Sequence, residues 1–537
     1  MTNQKRWVNG SDTAHSATQP ATSQLFARAV SLHLEGRGDE ALVELERALR
    51  GGEKRAEIYS AIGYIRHERK QYDEAAAAYR RLLELEPSHV TGCFNLALCL
   101  QAGEQWQEAA QHFEQAAKGD PKRKEAYLGL GACQLQLGAG PQAREAYEQV
   151  LRLEPNSEPA LFGKAVALQL ERDLTGAGEI YRRILQQNPS AEETLVNLIW
   201  LCGELKDYAG MTRYAETLIE NKPDSLAALQ GLAMAAFSAG DYEKAAEHCA
   251  ALVSYAPDSF EGWFNLGLAY QKARNHEKAA EVYTRALRLQ PDEPQLHVNL
   301  GIVRQEMGDW KQAREAYERA LELHPDSPTA QWNLALVLEK QQELARAEKV
   351  YSRLLEQNPD WEEARFRVGY IRLQLGDYKG SAEAFEACLI NRRKWPEAQL
   401  NAGLAYWKLG DLGAAHDAFQ KTVTLDPNSA EGLRGLAGIA LERGEVEEAL
   451  SLHHQLIERG QRTPELLYNT GLLLQKNSRH EEAAKRYKEA LEISPEFPEA
   501  QLNLGIALKA LGQEEEARSY WRKALKTKPD LAQGYFE

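Results

Sequence analysis

"FEGWFNLGLAYQKARNHEKAAEVYTRALRLQPDE", residues 260–293, recurs in recognisable copies every 34 residues along nearly the whole chain. With Phe260 as place 1 and 100° of rotation per residue, Trp263, Leu266, Gly267 and Tyr270 fall on one face of a helix. After the polar break "ARNHE", Ala279, Ala280, Tyr283, Ala286 and Leu287 form a second apolar stripe at helical spacing. Gly267 and Ala279 are small where the two helices must approach closely. Pro291 ends the second helix, because it lacks an amide donor and restricts the residue before it. One such hairpin cannot bury its stripe alone, so its neighbours must stack on it.

Working outward, fifteen units of 34 residues run from Thr22 to Leu531 and account for 510 of the 537 residues. Twelve of them carry proline at the Pro291 place, and all but one have Gly or Ala at the Gly267 place. Thirteen have Ala at the Ala279 place and eleven an aromatic at the Tyr283 place. These residue types at these spacings match the pattern W-x2-L-G-x2-Y, then A-x3-F, then P. The chain therefore resembles a tetratricopeptide repeat protein over almost all its length. The resemblance implies an all-α fold, an α-solenoid in which about fifteen helical hairpins coil as a right-handed superhelix with a concave groove. Residues 1–21 read as a disordered tail, 22–531 as the solenoid and 532–537 as the stub of a further helix. Tyr535 and Phe536 make that stub apolar where a stack should end in a polar face.

No segment outside the repeats is long enough to bury a catalytic core, so the expected protein is not an enzyme. The net charge of −15 argues against a dedicated nucleic-acid binder. Cys93, Cys99, Cys133, Cys202, Cys249 and Cys388 form no CxxC pair and lie in helical patterns, as small reduced core residues would. The first 21 residues hold no apolar run of signal or membrane length, which points to a cytoplasmic protein without a membrane partner. No motif calls for a metal or other cofactor. The unit from Glu192 to Ser225 departs most from the pattern: Ile199 and Met211 occupy both close-approach places, with Ala215 where an aromatic is expected. Altered packing is expected there.

The stripe opposite the packing face of each first helix is where a partner would touch. Its place 6 holds Asn95, Asn197, Asn265, Asn299, Asn333, Asn401, Asn469 and Asn503, eight of the eighteen asparagines in the chain. Asparagine is a mediocre helix former, so propensity does not explain the choice. Its amide carries a donor and an acceptor and can pair with the backbone of an extended peptide. Such a ladder is similar to that in the repeat region of O-linked N-acetylglucosamine transferases. Asn265, Asn299 and Asn333 lie in consecutive units, and Leu268, Ile302 and Leu336 at place 9 set apolar groups beside them. Bonding within or between neighbouring helices is the competing account of these amides. A clamp for a partner's terminal carboxylate is disfavoured, because place 2 carries Glu in nine units and Lys in none.

The function expected from this reading is a non-catalytic scaffold or adaptor that binds an extended or helical segment of a partner protein. A targeting subunit for an enzyme supplied in trans, such as a glycosyltransferase, and a scaffold built by self-association are the alternatives.

Overall fold

A computed structural model describes residues 21–52 and 55–534. Residues 1–20 of the expected tail, Glu53, Tyr535 and Phe536 lie outside the described residues. Those described form thirty α-helices of 13 or 14 residues and no strand, from Ala21–Leu34 to Glu514–Thr527. The all-helical repeat expected from the sequence is what the chain forms. It divides into two compact units, one ending at Ala269 and the other beginning at Tyr270. Within each unit, successive helices pack against one another along the chain.

The alternation of helix and turn has a regular backbone cause. In all fifteen hairpins the residue at place 15 is left-handed, from Gly36 (φ 79°) to Gly512 (φ 78°). Eight of these are glycine; Lys70, Glu104, Arg172, Lys206, Arg274, Gln342 and Ser478 adopt the same conformation at a steric disadvantage. The next residue often caps the second helix. Asp241 accepts from the Lys244 amide, Asp309 from that of Gln312 and Asp411 from that of Ala414.

The signature places also have physical roles. Trp263 Nε1 donates to the carbonyl of Pro257 at 2.8 Å, fastening a first helix to the turn before it. In two repeats a glutamine at this place keeps the bond: Gln331 Nε2 donates to the Pro325 carbonyl and Gln501 Nε2 to that of Pro495. Where the second helix carries an aromatic at the Tyr283 place, the ring packs between place 8 of its own repeat and place 6 of the next, as Tyr147 does between Gly131 and Gly163. A Cβ added at Gly403 or at Gly435 would lie 2.7 Å from the Phe419 ring, so that ring is held between two glycines.

In the Glu192–Ser225 unit the ring is missing, and its space is filled from the other side. Ile199, Met211 and Ala215 are all buried, and a Cβ on Gly231 would meet Ile199 Cγ2 at 2.6 Å where other repeats present an aromatic. At the far end, Pro529–Gly534 forms a 3-10 helix.

Candidate functional site

The eight asparagines of place 6 are not equivalent. In the first unit, Asn95 Nδ2 donates to the Tyr79 hydroxyl at 3.2 Å, and Asn197 Nδ2 turns back to the Glu193 carbonyl at 2.8 Å. Asn265 is exposed and makes no side-chain hydrogen bond among the described residues.

In the second unit, Asn299 is buried, donates to the Tyr283 hydroxyl and accepts from Gln295 Nε2 at 2.9 Å. Asn333 and Asn401 each bond the carbonyl four residues back, those of Thr329 and Glu397, at 2.9 and 2.7 Å. Asn503 reaches both the Glu499 carbonyl and the Tyr468 hydroxyl. Asn469 is exposed and, like Asn265, has no hydrogen-bond partner among the described residues.

A relay accounts for Asn95 and Asn299. The buried hydroxyls of Tyr283, Tyr317 and Tyr487 donate to Gln271, Gln305 and Gln475, twelve residues earlier in the same repeat, at 2.8, 3.1 and 3.0 Å. Burial holds these phenols far above their ordinary ionisation range, so they remain neutral donors. Each hydroxyl can still accept, and Asn299 fills that role for Tyr283. Tyr351 shows a charged variant: its hydroxyl donates to Glu339, and Arg367, standing at the asparagine place, pairs with the same carboxylate at 3.3 Å.

The sequence carries a signal for this relay. An asparagine at place 6 follows a tyrosine in the previous repeat at Asn95, Asn197, Asn299, Asn333 and Asn503, and of these Asn95 and Asn299 contact that hydroxyl. The other three follow Cys249, Phe385 and His453, none of which has a hydroxyl. The two exposed, unbonded amides, Asn265 and Asn469, are both in this second group.

Leu268, Ile302 and Leu336 are half-buried, and Ile302 packs against the core beside Tyr317 and Leu334. Larger apolar surface shows elsewhere at place 9. Trp200 and Met234 are 47% and 45% exposed in the first unit, as are Tyr370 and Ile506 to lesser degrees in the second.

Next to Asn265 the first unit holds a cavity of about 390 Å³. Ala233, Phe237, Ala245, Cys249 and Leu252 line it, with Met234, Leu268 and Asn265 at the exposed side. Burial pushes the Cys249 thiol up to about 11, so this wall is uncharged.

Residues 391–395, "NRRKW", are the main basic run of the sequence and are partly engaged. Arg392 stacks over the Trp395 ring, 4.4 Å from its centroid, and pairs with Glu363. All six cysteines are buried free thiols. Among the described residues no three His, Cys, Asp or Glu are grouped to hold a metal ion, and no helix is long and apolar enough to cross a membrane.

Family models for the tetratricopeptide repeat match residues 212–259, 231–294, 298–361, 340–398 and 400–460. Further tetratricopeptide models match 23–47, 56–89, 100–168, 476–512 and 498–531. No curated protein matches the sequence. Among solved structures, YrrB, described as a tetratricopeptide protein with an unusual peptide-binding site, is 22% identical. That match covers 35% of this chain and 97% of YrrB, with a TM-score of 0.34. A tetratricopeptide repeat protein from Parabacteroides merdae is 21% identical, covering 46% of this chain and 98% of its own, with a TM-score of 0.34. The Naa15/Naa10 complex bound to HypK matches at 14% identity over 95% of this chain and 94% of that one, with a TM-score of 0.34. With hairpins of this signature along nearly its whole length, the chain belongs to the tetratricopeptide repeat family.

Proposed function

We propose that this protein is a non-catalytic interaction scaffold that binds an extended segment of a partner protein along the exposed stripe of its first helices. The observation that carries the reading is Asn265. Amides at the same place bond Tyr79 or Tyr283, but this one is exposed and unbonded beside half-buried Leu268. An exposed carboxamide pairs with a peptide backbone whatever side chains the peptide carries, and apolar neighbours supply the burial that one hydrogen bond does not. Asn469 offers the second such amide. In this reading the buried asparagines stabilise the stack, and the ladder expected by resemblance to O-linked N-acetylglucosamine transferases narrows to these two positions.

The test compares Asn265→Ala and Asn469→Ala with Asn95→Ala in the full chain, measuring retention of cross-linked partners from native lysate beside thermal stability. The first two variants should lose partner and keep stability. The third should lose stability and keep partner. The reverse pattern would refute the proposal.

A further inference from the structure

The cavity beside Asn265 has a definite origin. Elsewhere the aromatic of the second helix lies between place 8 of its own repeat and place 6 of the next, as Phe419 lies between Gly403 and Gly435. At Cys249 the corresponding flanks are Ala233 and Asn265, and both line the cavity. The repeat before it also lacks the ring, but there Ile199 and Met211 refill the space. Here the refilling positions are Ala233 and Ala245, too small to do so. The hole thus includes the vacated seat of one aromatic side chain and, at about 390 Å³, extends beyond it toward Met234 and Leu268.

We propose that this seat is a socket for the side chain of a tyrosine in an extended segment of a partner protein, an inference that rests on the scaffold reading above. Three observations select tyrosine. The volume, about 390 Å³, exceeds the roughly 150 Å³ that suffices for a benzene ring in an apolar protein cavity. The Asn265 amide stands where Asn95 and Asn299 meet the hydroxyls of Tyr79 and Tyr283. An incoming phenol would complete the contact that those repeats make internally. Glu261 is the one charged residue lining the cavity, so a phosphorylated tyrosine is repelled. The exposed apolar groups of Trp200 and Met234, at place 9 of this repeat and the one before, provide surface for the residues flanking the tyrosine.

The test uses the full chain with three probes: p-cresol, which is the tyrosine side chain, toluene, which lacks the hydroxyl, and p-cresyl phosphate. Binding is followed by ligand-observed NMR titration, with circular dichroism as the folding control. The expected result is saturable, one-site binding of p-cresol, weaker binding of toluene and none of the phosphate. Asn265→Ala should weaken p-cresol by roughly three- to tenfold and leave toluene unchanged. Cys249→Phe, which restores the ring from within, should abolish binding. If that variant misfolds, Ala245→Leu narrows the cavity from another wall and should do the same.

Equal affinity for p-cresol and toluene, insensitive to Asn265→Ala, would overturn the tyrosine assignment, as would p-cresol binding that survives both filled variants. A concentration-dependent mass lost on filling the cavity would place a second copy in the socket and overturn the partner. If Cys249→Phe retains cross-linked partner while Asn265→Ala loses it, the socket fails and the scaffold reading stands. If neither variant loses partner, both fail.

Discussion

The Nδ2 amide of Asn95 donates to the Tyr79 hydroxyl at 3.2 Å, joining the first helix of one repeat to the second helix of the repeat before it. The tyrosine is 1% exposed, so loss of the amide leaves a buried hydroxyl without that donor. Asn95→Ala should therefore cost about 1 kcal/mol. A long repeat array opens locally, so the measurement is amide hydrogen exchange in Val90–Ala102, which should quicken. The exposed, unbonded Asn265 should give no such change in its own helix.

Glycines at two kinds of position should respond oppositely to the same added methyl. Gly435 lies with its would-be Cβ 2.7 Å from the Phe419 ring, which Gly403 blocks from the other side. Gly435→Ala should destabilise by about 1–3 kcal/mol through overpacking. Exposed Gly413, whose Cβ would approach only Asp411 Oδ1 at 3.5 Å, should gain roughly 0.5 kcal/mol from Gly413→Ala. Thermal melts of the two variants check the difference in sign.

The architecture was legible because each signature residue has a role in its own hairpin or in the contact with the adjacent one. Small residues at the Gly267 and Ala279 places and proline at the Pro291 place recur at fixed offsets, and a 34-residue period makes the offsets visible. The roles of the asparagines were only half legible. Their enrichment stands out in one dimension, but the partner of Asn299 is Tyr283, sixteen residues upstream in the preceding repeat. That pairing appears only when place 24 of one unit is read against place 6 of the next. Cys249 is also visible as a missing aromatic, yet the sequence alone does not separate a refilled gap, as beside Ala215, from an open one. The difference rests on the bulk of Ile199 and Met211 against that of Ala233 and Ala245.

Ser478 tests the cost of the recurrent left-handed turn. Its φ is 60°, in a place that eight other repeats give to glycine. Ser478→Gly removes the clash of Cβ with the following carbonyl and should stabilise the hairpin by up to about 1 kcal/mol, less the added freedom of the unfolded chain. Slower exchange in Pro464–Lys476 and a raised melting temperature are the expected readings.

The Tyr351, Glu339 and Arg367 cluster should behave as a unit. Arg367→Ala leaves the Glu339 carboxylate, which is 14% exposed, without its cation, and should cost about 1–2 kcal/mol. Replacing both, Glu339→Gln with Arg367→Asn, rebuilds the neutral arrangement of Gln271, Tyr283 and Asn299 and should restore most of the loss. A double-mutant cycle by chemical denaturation should give a coupling of about 0.5–3 kcal/mol. Simple additivity would show that the three groups act separately.

His453 occupies the aromatic place of its repeat, is 7% exposed, and sets Nδ1 3.1 Å from Thr470 Oγ1. Burial, with a smaller contribution from adjacent His454, holds its pKa below the ordinary histidine value. The unfolded chain therefore binds this proton more readily than the folded one. Stability contributed by the neutral ring is fully present above about pH 6.5 and is lost as pH falls below that value toward the depressed folded pKa. His453→Phe places at this site the residue that Phe385 and Phe419 supply in nearby repeats, and Thr470 keeps its bond to the Leu466 carbonyl. Melts at pH 7.5 and 5.5 should show a smaller acid-induced fall in the variant than in the parent, by at most about 1.4 kcal/mol per pH unit. Equal falls would mean that burial leaves the proton affinity of His453 unchanged.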